Sequence, residues 1–359
     1  MELARVDIAH SQSSTNFFCM SAHDDTSGQT PLIDGFGRTI SYLRLSVTDR
    51  CDLRCTYCMS ARPTFLPKSQ VLTLEELETL CAIFIERGVT KIRITGGEPL
   101  VRRDVVKLIE HIGQWRHVTP LKELTLTTNA TQLDRYADQL AASGVERINV
   151  SLDTLDADHF RRLTRIGEID TVMRGLDAAD KAGLKVKINT VALANGNARE
   201  IPDLVAWAHG RGYDLSLIEI MPMGEVDEAR PDQFLSLQSV RQTLEERWTL
   251  TDVSDSTGGP ARYVRVEETG GRLGFISPLT QNFCEGCNRV RLTCTGQLYL
   301  CLGQLDRVDL RAALRDGGRL SVERALDEAM QIKPRAHDFA IGTDRVAGHV
   351  PRDMAHTGG

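Results

Sequence analysis

The chain has 359 residues, of which 41% are hydrophobic and 26% charged, and its formal net charge is −6. This composition is ordinary for a globular protein with room for one large barrel or two domains. The acidic balance argues against a non-specific nucleic-acid binder, and no apolar run is long enough to span a membrane. Since no signal peptide is evident and the nine cysteines favour metal binding or catalysis over disulfides, we expect a cytoplasmic protein.

The N-terminal residues 1–31 are polar and lack hydrophobic periodicity. We predict that they form a mobile extension in which Cys19 is a free thiol. Regular patterning begins at Leu32.

From residue 41 the sequence alternates between strand and helix patterns. The predicted strands are 41–47, 91–95, 123–128, 147–152, 185–191 and 215–221, and the predicted helices are 73–87, 104–115, 133–143, 170–182 and 199–209. Thr73 and Glu76 fit a capping box at the start of the first helix. Six β/α units predict a parallel sheet with right-handed crossovers, bent into a partial (β/α)6 TIM-type barrel. A flat doubly wound sheet is the alternative.

The segment 222–274 is more polar and is interpreted as the start of a smaller region. Residues 263–267 and 272–276 alternate like the strands of a hairpin, and 308–330 has helical spacing. We therefore predict a barrel over 32–222 and a C-terminal region over 223–359.

Three cysteines follow the first predicted strand with the spacing C-x3-C-x2-C: Cys51, Cys55 and Cys58. A zinc site usually needs four ligands, and a dithiol redox site needs two. Three thiolates in so short a loop suit a cubane iron–sulfur cluster that leaves one iron open to a reactive ligand. A zinc knuckle completed by a remote ligand is the alternative.

Unusual residues follow the other strands, and ligands of parallel α/β folds bind at the carboxyl ends of strands. Gly96-Gly97-Glu98-Pro99 follows the second strand, and Thr127, Ser151 and Met221 lie at the ends of the third, fourth and sixth. Because neither glycine has a Cβ, a ligand could approach the backbone closely here.

Three predicted strands carry a cation between aliphatic neighbours: Arg44, Arg93 and Lys187. A buried cation without a partner costs several kcal/mol, so each requires an anion. The residues alone leave two interpretations equally open. One is a structural ion-pair network with Glu98, Asp153 and Glu219, and the other is a polyanionic substrate in the barrel.

A second group of cysteines lies near the C-terminus. Cys284 and Cys287 form a C-x2-C pair, Cys301 lies further on, and Cys294 lies between them, so spacing leaves the third ligand ambiguous. A zinc ribbon that uses all four cysteines is the alternative to a cluster. Arg289 and Arg291 point to one side of an extended segment, where they could hold phosphates or a purine.

These motifs together resemble one family. The matching segments are L-R-L-S-V-T-D-R-C from Leu43, I-T-G-G-E-P-L from Ile94, C-E-G-C-N-R-V-R-L from Cys284, and the terminal Gly358-Gly359. Over about residues 32–359 the chain resembles the GTP 3′,8-cyclases of molybdenum cofactor biosynthesis, members of the radical S-adenosylmethionine (SAM) superfamily. The resemblance implies that the Gly-Gly end reaches into the active site.

The resemblance also implies a set of site residues. Two [4Fe-4S] clusters would be held by Cys51, Cys55 and Cys58 and by Cys284, Cys287 and Cys301, which assigns Cys294 to packing. SAM would contact Tyr57, Gly97, Ser151 and Met221. GTP would contact Arg44, Arg93, Thr127, Lys187, Arg289, Val290 and Arg291. Ser216 departs from the pattern, because many members have arginine there, which places one phosphate or ribose contact in doubt.

The implied reaction begins when the first cluster reduces SAM to methionine and a 5′-deoxyadenosyl radical. The radical takes hydrogen from C3′ of GTP, and the resulting carbon radical attacks C8 of guanine. An external electron donor and a downstream cyclic pyranopterin monophosphate synthase are implied partners, whereas the oligomeric state, including a homodimer, stays open. A peptide-modifying radical SAM maturase and a non-enzymatic iron–sulfur carrier or zinc scaffold are the alternatives.

Overall fold

The computed structural model describes residues 30–224, 226, 230–254, 259–341, 346–347 and 350–358. The predicted extension with Cys19, apart from residues 30 and 31, and the terminal Gly359 lie outside the described residues. The strands are β1 (Tyr42–Ser46), β2 (Lys91–Thr95), β3 (Glu123–Thr128), β4 (Arg147–Ser151), β5 (Lys185–Ala192), β6 (Asp214–Glu219), β7 (Leu250–Val253), β8 (Arg262–Val266), β9 (Arg272–Ile276), β10 (Arg289–Leu292), β11 (Gln297–Tyr299), β12 (Arg307–Asp309), β13 (Ala340–Ile341) and β14 (Val346–Ala347). The α-helices are α1 (Leu74–Glu86), α2 (Val105–Trp115), α3 (Leu133–Ala142), α4 (Ala157–Thr164), α5 (Ile169–Lys181), α6 (Ile201–Gly210), α7 (Arg230–Gln233), α8 (Leu237–Glu245), α9 (Leu310–Ile332) and α10 (Met354–Thr357).

Strands β1 to β6 are parallel and lie side by side in sequence order. A doubly wound sheet would instead reverse its strand order at a switch point. The flat alternative is therefore wrong, and the partial (β/α)6 arrangement is confirmed. The sheet is open, because β1 pairs on its outer edge with β10 and β6 pairs on its outer edge with β9.

Strands beyond residue 222 extend this sheet at both edges. Within the described residues the order of the twelve-stranded sheet is β12-β11-β10-β1-β2-β3-β4-β5-β6-β9-β8-β7. The predicted hairpin is confirmed, because β8 and β9 are antiparallel. The C-terminal region thus contributes β10–β12 at one edge of the barrel sheet and β7–β9 at the other. The domain boundary between residues 222 and 223 stays a prediction.

Local sequence signals fix several element ends. The Thr73 hydroxyl accepts a hydrogen bond from the Glu76 amide, and the Glu76 carboxylate accepts one from the Thr73 amide, which confirms the capping box of α1. Gly88, with a φ of 94°, follows the end of α1. Helix α4 was not predicted from the sequence, although Asp156 caps it by accepting from the His159 amide. In the described residues no helix combines the length and apolarity needed to cross a membrane.

The parallel strands alternate between aliphatic and polar side chains. The aliphatic positions pack in the main hydrophobic core: Leu43, Leu45, Ile92, Ile94, Leu124, Leu126, Ile148, Val150, Val186, Ile188, Leu215 and Leu217. The intervening positions project to the opposite face of the sheet. They include Arg44, Arg93, Thr125, Thr127, Asn149, Ser151, Lys187, Asn189 and Ser216. TIM barrels usually fill this interior with branched aliphatic side chains, so a polar interior here leaves room for a charged ligand.

Candidate active site

The loop that carries Cys51, Cys55 and Cys58 is anchored on two sides. On one side, the amides of Arg54 and Thr56 donate to the carbonyls of Thr164 and Leu163 at the end of α4, at 3.0 and 2.9 Å. On the other, the Asp52 carboxylate accepts hydrogen bonds from side chains that follow β3: Asn129 at 2.7 Å, Thr131 at 2.6 Å and Gln132 at 2.9 Å. The loop is therefore held in place by residues far from it in sequence.

The thiols of this loop form no disulfide bonds, so they are available as metal ligands. Burial raises the pKa of Cys51 and of Cys55. The negative charges of Glu98 and Cys58 raise the pKa of Cys51 further, and those of Cys58 and Asp153 raise the pKa of Cys55 further. Two donors point at the Cys51 sulfur, the Leu53 amide at 3.4 Å and the Asn129 side-chain amide at 3.9 Å. Binding to iron would replace the protons of such thiols, so this donor set fits an iron–sulfur cluster.

The glycines of the Gly-Gly turn are required by the cysteine loop. A Cβ on Gly97 would lie 2.4 Å from the Arg50 carbonyl oxygen, and one on Gly96 would lie 2.8 Å from the Thr48 carbonyl oxygen. The amide of Gly97 donates to Thr48 at 2.8 Å, and the amide of Glu98 donates to Arg50 at the same distance. Both glycines line the cavity, but their missing side chains make room for the neighbouring backbone.

The structural ion-pair interpretation of the barrel cations is wrong, because the three carboxylates named for it bind other groups. Glu98 accepts hydrogen bonds from the amides of Leu100 and Asn129 and from the Thr128 hydroxyl. Asp153 accepts hydrogen bonds from the Tyr57 hydroxyl and the Val191 amide. Glu219 accepts hydrogen bonds from the amides of Leu237, Leu279 and Thr280 and from the Thr280 hydroxyl. Burial raises the pKa of Glu98 to about 8 and that of Asp153 to about 6. These carboxylates join strand ends and loops to one another.

The interior cations are crowded. Burial and the positive charges of Arg93 and Arg289 lower the pKa of Arg44 to about 10, and Tyr42 opposes this shift. Burial and the charges of Arg44 and Arg289 lower the pKa of Arg291 as well. Among the described residues, the buried Nε of Arg93 has no hydrogen-bond partner. A polyanionic ligand would relieve the repulsion and supply such partners.

The second cysteine group lies on the other side of the same interior. Burial raises the pKa of Cys287, but the positive charges of Arg289 and Lys333 outweigh it and lower the pKa overall. The Lys333 ammonium donates to the carbonyls of Arg289 at 3.1 Å and Leu300 at 2.6 Å, which fixes the loop between Cys287 and Cys301. These thiols also fit a cluster.

Cys294 lies apart from this group. It is buried, and its carbonyl accepts from the Leu72 amide at 2.8 Å. Burial raises its pKa to about 12. Cys294 does not line the cavity described next, which agrees with a packing role.

One cavity of about 300 Å³ joins the predicted sites. Its lining includes Cys51, Cys55, Cys58, Cys284, Cys287, Cys301, Tyr57, Gly97, Ser151, Met221, Arg44, Arg93, Thr127, Arg289 and Arg291. Lys187 is buried and is not part of this lining, but Asn189, two residues further along β5 on the same face, lines the cavity. The Val290 side chain packs in the hydrophobic core on the other face of β10, so only its backbone could meet a ligand.

The C-terminal tail reaches the cavity wall. The Gly358 carbonyl accepts from the Arg291 guanidinium at 2.6 Å. A Cβ on Gly358 would lie 1.8 Å from the Thr95 hydroxyl, beside the Gly-Gly turn, and its φ of 74° also favours glycine. Gly358, the terminal glycine that lies among the described residues, is thus at the cavity wall, which agrees with what the resemblance implies for the Gly-Gly end.

Several interior residues were not predicted from the sequence. Asn189 lines the cavity, and its Oδ1 is buried without a hydrogen-bond partner among the described residues. Tyr42 is buried, and the ammonium of Lys91 lies 4.9 Å from its ring centroid. The alternation in Y-L-R-L-S, K-I-R-I-T and K-V-K-I-N would have identified Tyr42, Lys91 and Asn189, because each lies two residues from a predicted interior cation of the same strand.

Comparison with known proteins agrees with these features. Residues 45–208 match the radical SAM superfamily, and residues 213–339 match the molybdenum cofactor synthesis C family. The chain is 60% identical over 337 residues to the GTP 3′,8-cyclase of Rhizobium etli (strain CFN 42), covering 93% of this chain and 96% of that protein. It is 63% identical over 330 residues to the GTP 3′,8-cyclase of Erythrobacter litoralis, covering 91% of this chain and 98% of that protein.

A solved structure shares the fold. SuiB of Streptococcus suis, bound to S-adenosylmethionine, superposes with a TM-score of 0.60 at 17% identity, covering 91% of this chain and 77% of that one. At this identity the likeness concerns the fold alone, whereas the relatives above agree with this chain over nearly its whole length. The chain therefore belongs to the GTP 3′,8-cyclase family of radical SAM enzymes.

Proposed function

We propose that the cavity converts GTP to (8S)-3′,8-cyclo-7,8-dihydroguanosine 5′-triphosphate, the first step of molybdenum cofactor biosynthesis. The observation that carries this proposal is that both cysteine groups and the crowded arginines line one cavity. A radical enzyme that modifies a peptide would have no evident use for so many buried cations.

The first cysteine group would hold a [4Fe-4S] cluster, with SAM near Tyr57, Gly97, Ser151 and Met221. When bound, the first cluster and SAM supply the radical that begins the reaction, and a second cluster on Cys284, Cys287 and Cys301 supplies an iron that can bind guanine. The protein holds this end of the cavity in place through the Tyr57 hydroxyl, which donates to the Asp153 carboxylate at 2.6 Å. Such fixed geometry is what positions reacting atoms.

The cations would hold the nucleotide. Arg289 and Arg291 lie on β10 beside the second cysteine group, and Arg291 is paired with Arg44 in the sheet, as Arg44 is with Arg93. This row leads from the second cysteine group into the barrel interior, so it could bind the phosphates. Thr127, whose Oγ1 is buried without a hydrogen-bond partner among the described residues, could contact the same substrate. Its triphosphate would then neutralise charges that the protein leaves crowded.

The proposal includes partners that the reaction requires. An external electron donor must reduce the first cluster, and a cyclic pyranopterin monophosphate synthase would act on the product. A homodimer stays a prediction.

The division between two clusters can be tested with cysteine variants. Cys51→Ala and Cys284→Ala should each lose about four irons after anaerobic reconstitution, whereas Cys294→Ala should keep the wild-type iron content. The first variant should form no 5′-deoxyadenosine, and the second should form no cyclised nucleotide. Unchanged iron in Cys284→Ala, or a loss of about four irons in Cys294→Ala, would overturn the assignment of the second cluster.

A further inference from the structure

A row of paired residues crosses the sheet next to Lys187. Asn189 on β5 is paired with Ser216 on β6, Ser216 with Gly274 on β9, and Gly274 with Tyr263 on β8. Paired residues of neighbouring strands project to the same face of a sheet. Lys187 lies two residues before Asn189, so it shares this face as well.

There is little space beside Gly274 in the middle of this row, because the Tyr263 ring packs there. A Cβ on Gly274 would lie 2.5 Å from the Ser216 hydroxyl and 3.0 Å from a ring carbon of Tyr263. The ring therefore lies against Gly274, and its hydroxyl reaches the Lys187 ammonium at 2.5 Å. Tyr263 is 2% exposed and Lys187 is 5% exposed, so water does not compete for this contact.

Two cations lie near the Tyr263 ring. The Lys187 ammonium lies 4.9 Å from the ring centroid, and the Arg272 guanidinium lies 5.7 Å from it. Arg272 is itself fixed by two hydrogen bonds to the Asp214 carboxylate, at 3.1 and 2.5 Å. Asp214 is paired with Lys187 in the sheet, but the Asp214 carboxylate accepts its hydrogen bonds from Arg272.

The partner of the Lys187 ammonium is the Tyr263 hydroxyl, and the chemical type of this partner affects the charge of Lys187. A carboxylate would cancel that charge, whereas a hydroxyl accepts one hydrogen bond and leaves the charge available. An ammonium group has three donors, so a contact to Tyr263 leaves two for other acceptors. Lys187 also lies close enough to Arg93 and Arg147 for their charges to lower its pKa, which indicates a shared field of positive charge in the barrel interior.

We infer that Tyr263 is a positioning residue of the substrate site, which holds the Lys187 ammonium on the face of β5 that lines the cavity, for contact with the phosphates of the nucleotide. This inference rests on the proposed function for the identity of the ligand. Tyr263 lies in the C-terminal region and Lys187 in the barrel, so the contact also connects the wall formed by β7–β9 to the site.

The charge on Lys187 should depend on Tyr263. Burial lowers the pKa of Lys187, Arg93 and Arg147 lower it further, and Tyr263 raises it, while Asp214 is paired with Arg272. Without the hydroxyl the pKa should fall further. The ammonium would then lose its proton, and nucleotide binding would weaken, at a lower pH than in the wild type.

The test is Tyr263→Phe, with Tyr213→Phe as the matched control. Tyr213 donates its hydroxyl to Asp180 on α5, away from the barrel interior. GTP and GMP affinities are measured by calorimetry on anaerobically reconstituted enzyme without reductant, between pH 7 and 9.5. Loss of one such hydrogen bond should weaken GTP binding by about 3- to 10-fold at neutral pH and GMP binding less, and should move the alkaline loss of GTP binding to lower pH.

A double-mutant cycle distinguishes this contact from a general weakening. In a Lys187→Met background, Tyr263→Phe should have no further effect on GTP affinity. The inference would be overturned if Tyr263→Phe and Tyr213→Phe bind GTP with equal affinity and lose GTP binding at the same alkaline pH. An equal further loss in the Lys187→Met background would also overturn it. If the wild type itself binds no GTP, the proposed function fails instead.

Discussion

Replacing Gly97 by alanine tests whether the Gly-Gly turn supports the cysteine loop. The added Cβ would lie 2.4 Å from the carbonyl oxygen of Arg50, 2.7 Å from its carbonyl carbon and 3.0 Å from the carbonyl oxygen of Asp49. Ordinary van der Waals contact begins at 3.4 Å, so the loop that carries Cys51 must move by about 1 Å. All three clashing atoms belong to the backbone, which cannot rotate away as a flexible side chain could.

The expected loss of stability follows from these contacts. Overpacking of this kind costs about 1–3 kcal/mol. The two hydrogen bonds from Gly97 and Glu98 to the loop would each forfeit about 1 kcal/mol when the loop moves. The variant should therefore lose about 3–5 kcal/mol in its free energy of unfolding. A displacement of about 1 Å near the reacting atoms should also slow SAM cleavage by about 100-fold.

The assay is urea unfolding of the metal-free protein, followed by iron analysis and 5′-deoxyadenosine formation after reconstitution. Gly210→Ala is the matched control, because its Cβ would meet nothing within 4 Å at the end of α6. This control should change the free energy of unfolding by less than about 1 kcal/mol, and in the stabilising direction. Wild-type stability and wild-type SAM cleavage in Gly97→Ala would refute the role of the turn.

Two further substitutions test the other parts of the site. Glu98→Leu removes both oxygens that accept hydrogen bonds from the Leu100 amide, the Thr128 hydroxyl and the Asn129 amide, so it should lose about 2–3 kcal/mol in urea unfolding. Wild-type stability of this variant would show that the carboxylate does not join β2 to β3. At saturating GTP, where bound nucleotide still triggers SAM cleavage, Arg289→Ala should reduce formation of the cyclised nucleotide more than formation of 5′-deoxyadenosine, as measured by chromatography of the same reaction. An equal reduction of both products would contradict the assignment of Arg289 to the nucleotide.

The barrel could be predicted because its signals are local. Strands β2 and β3 have the predicted bounds, and α1 has its predicted capping box. Helix α4 was missed because its eight residues, A-D-H-F-R-R-L-T, contain few apolar positions. The carbonyls of Leu163 and Thr164 nevertheless hold the cysteine loop, a contact that exists only once the chain is folded.

The cysteine groups could also be predicted, but the partners of the charged residues could not. Glu219 looked available to a cation, yet its acceptors are occupied by amides of Leu279 and Thr280, which lie about 60 residues later. The sequence likewise cannot show which side of Gly97 is crowded, so it indicates only that a ligand could approach the backbone there. Ser216 looked like a lost contact, whereas its small side chain and Gly274 make room for Tyr263 beside Lys187.

The central claim is that one cavity couples SAM cleavage to a guanine nucleotide. The most direct measurement is to reconstitute the clusters anaerobically, add SAM and a reductant, and follow 5′-deoxyadenosine with GTP, with ATP, or with no nucleotide. We predict that 5′-deoxyadenosine forms in a burst only with GTP and is accompanied by a cyclised nucleotide. SAM cleavage that proceeds equally with and without GTP, and without a cyclised product, would contradict the claim.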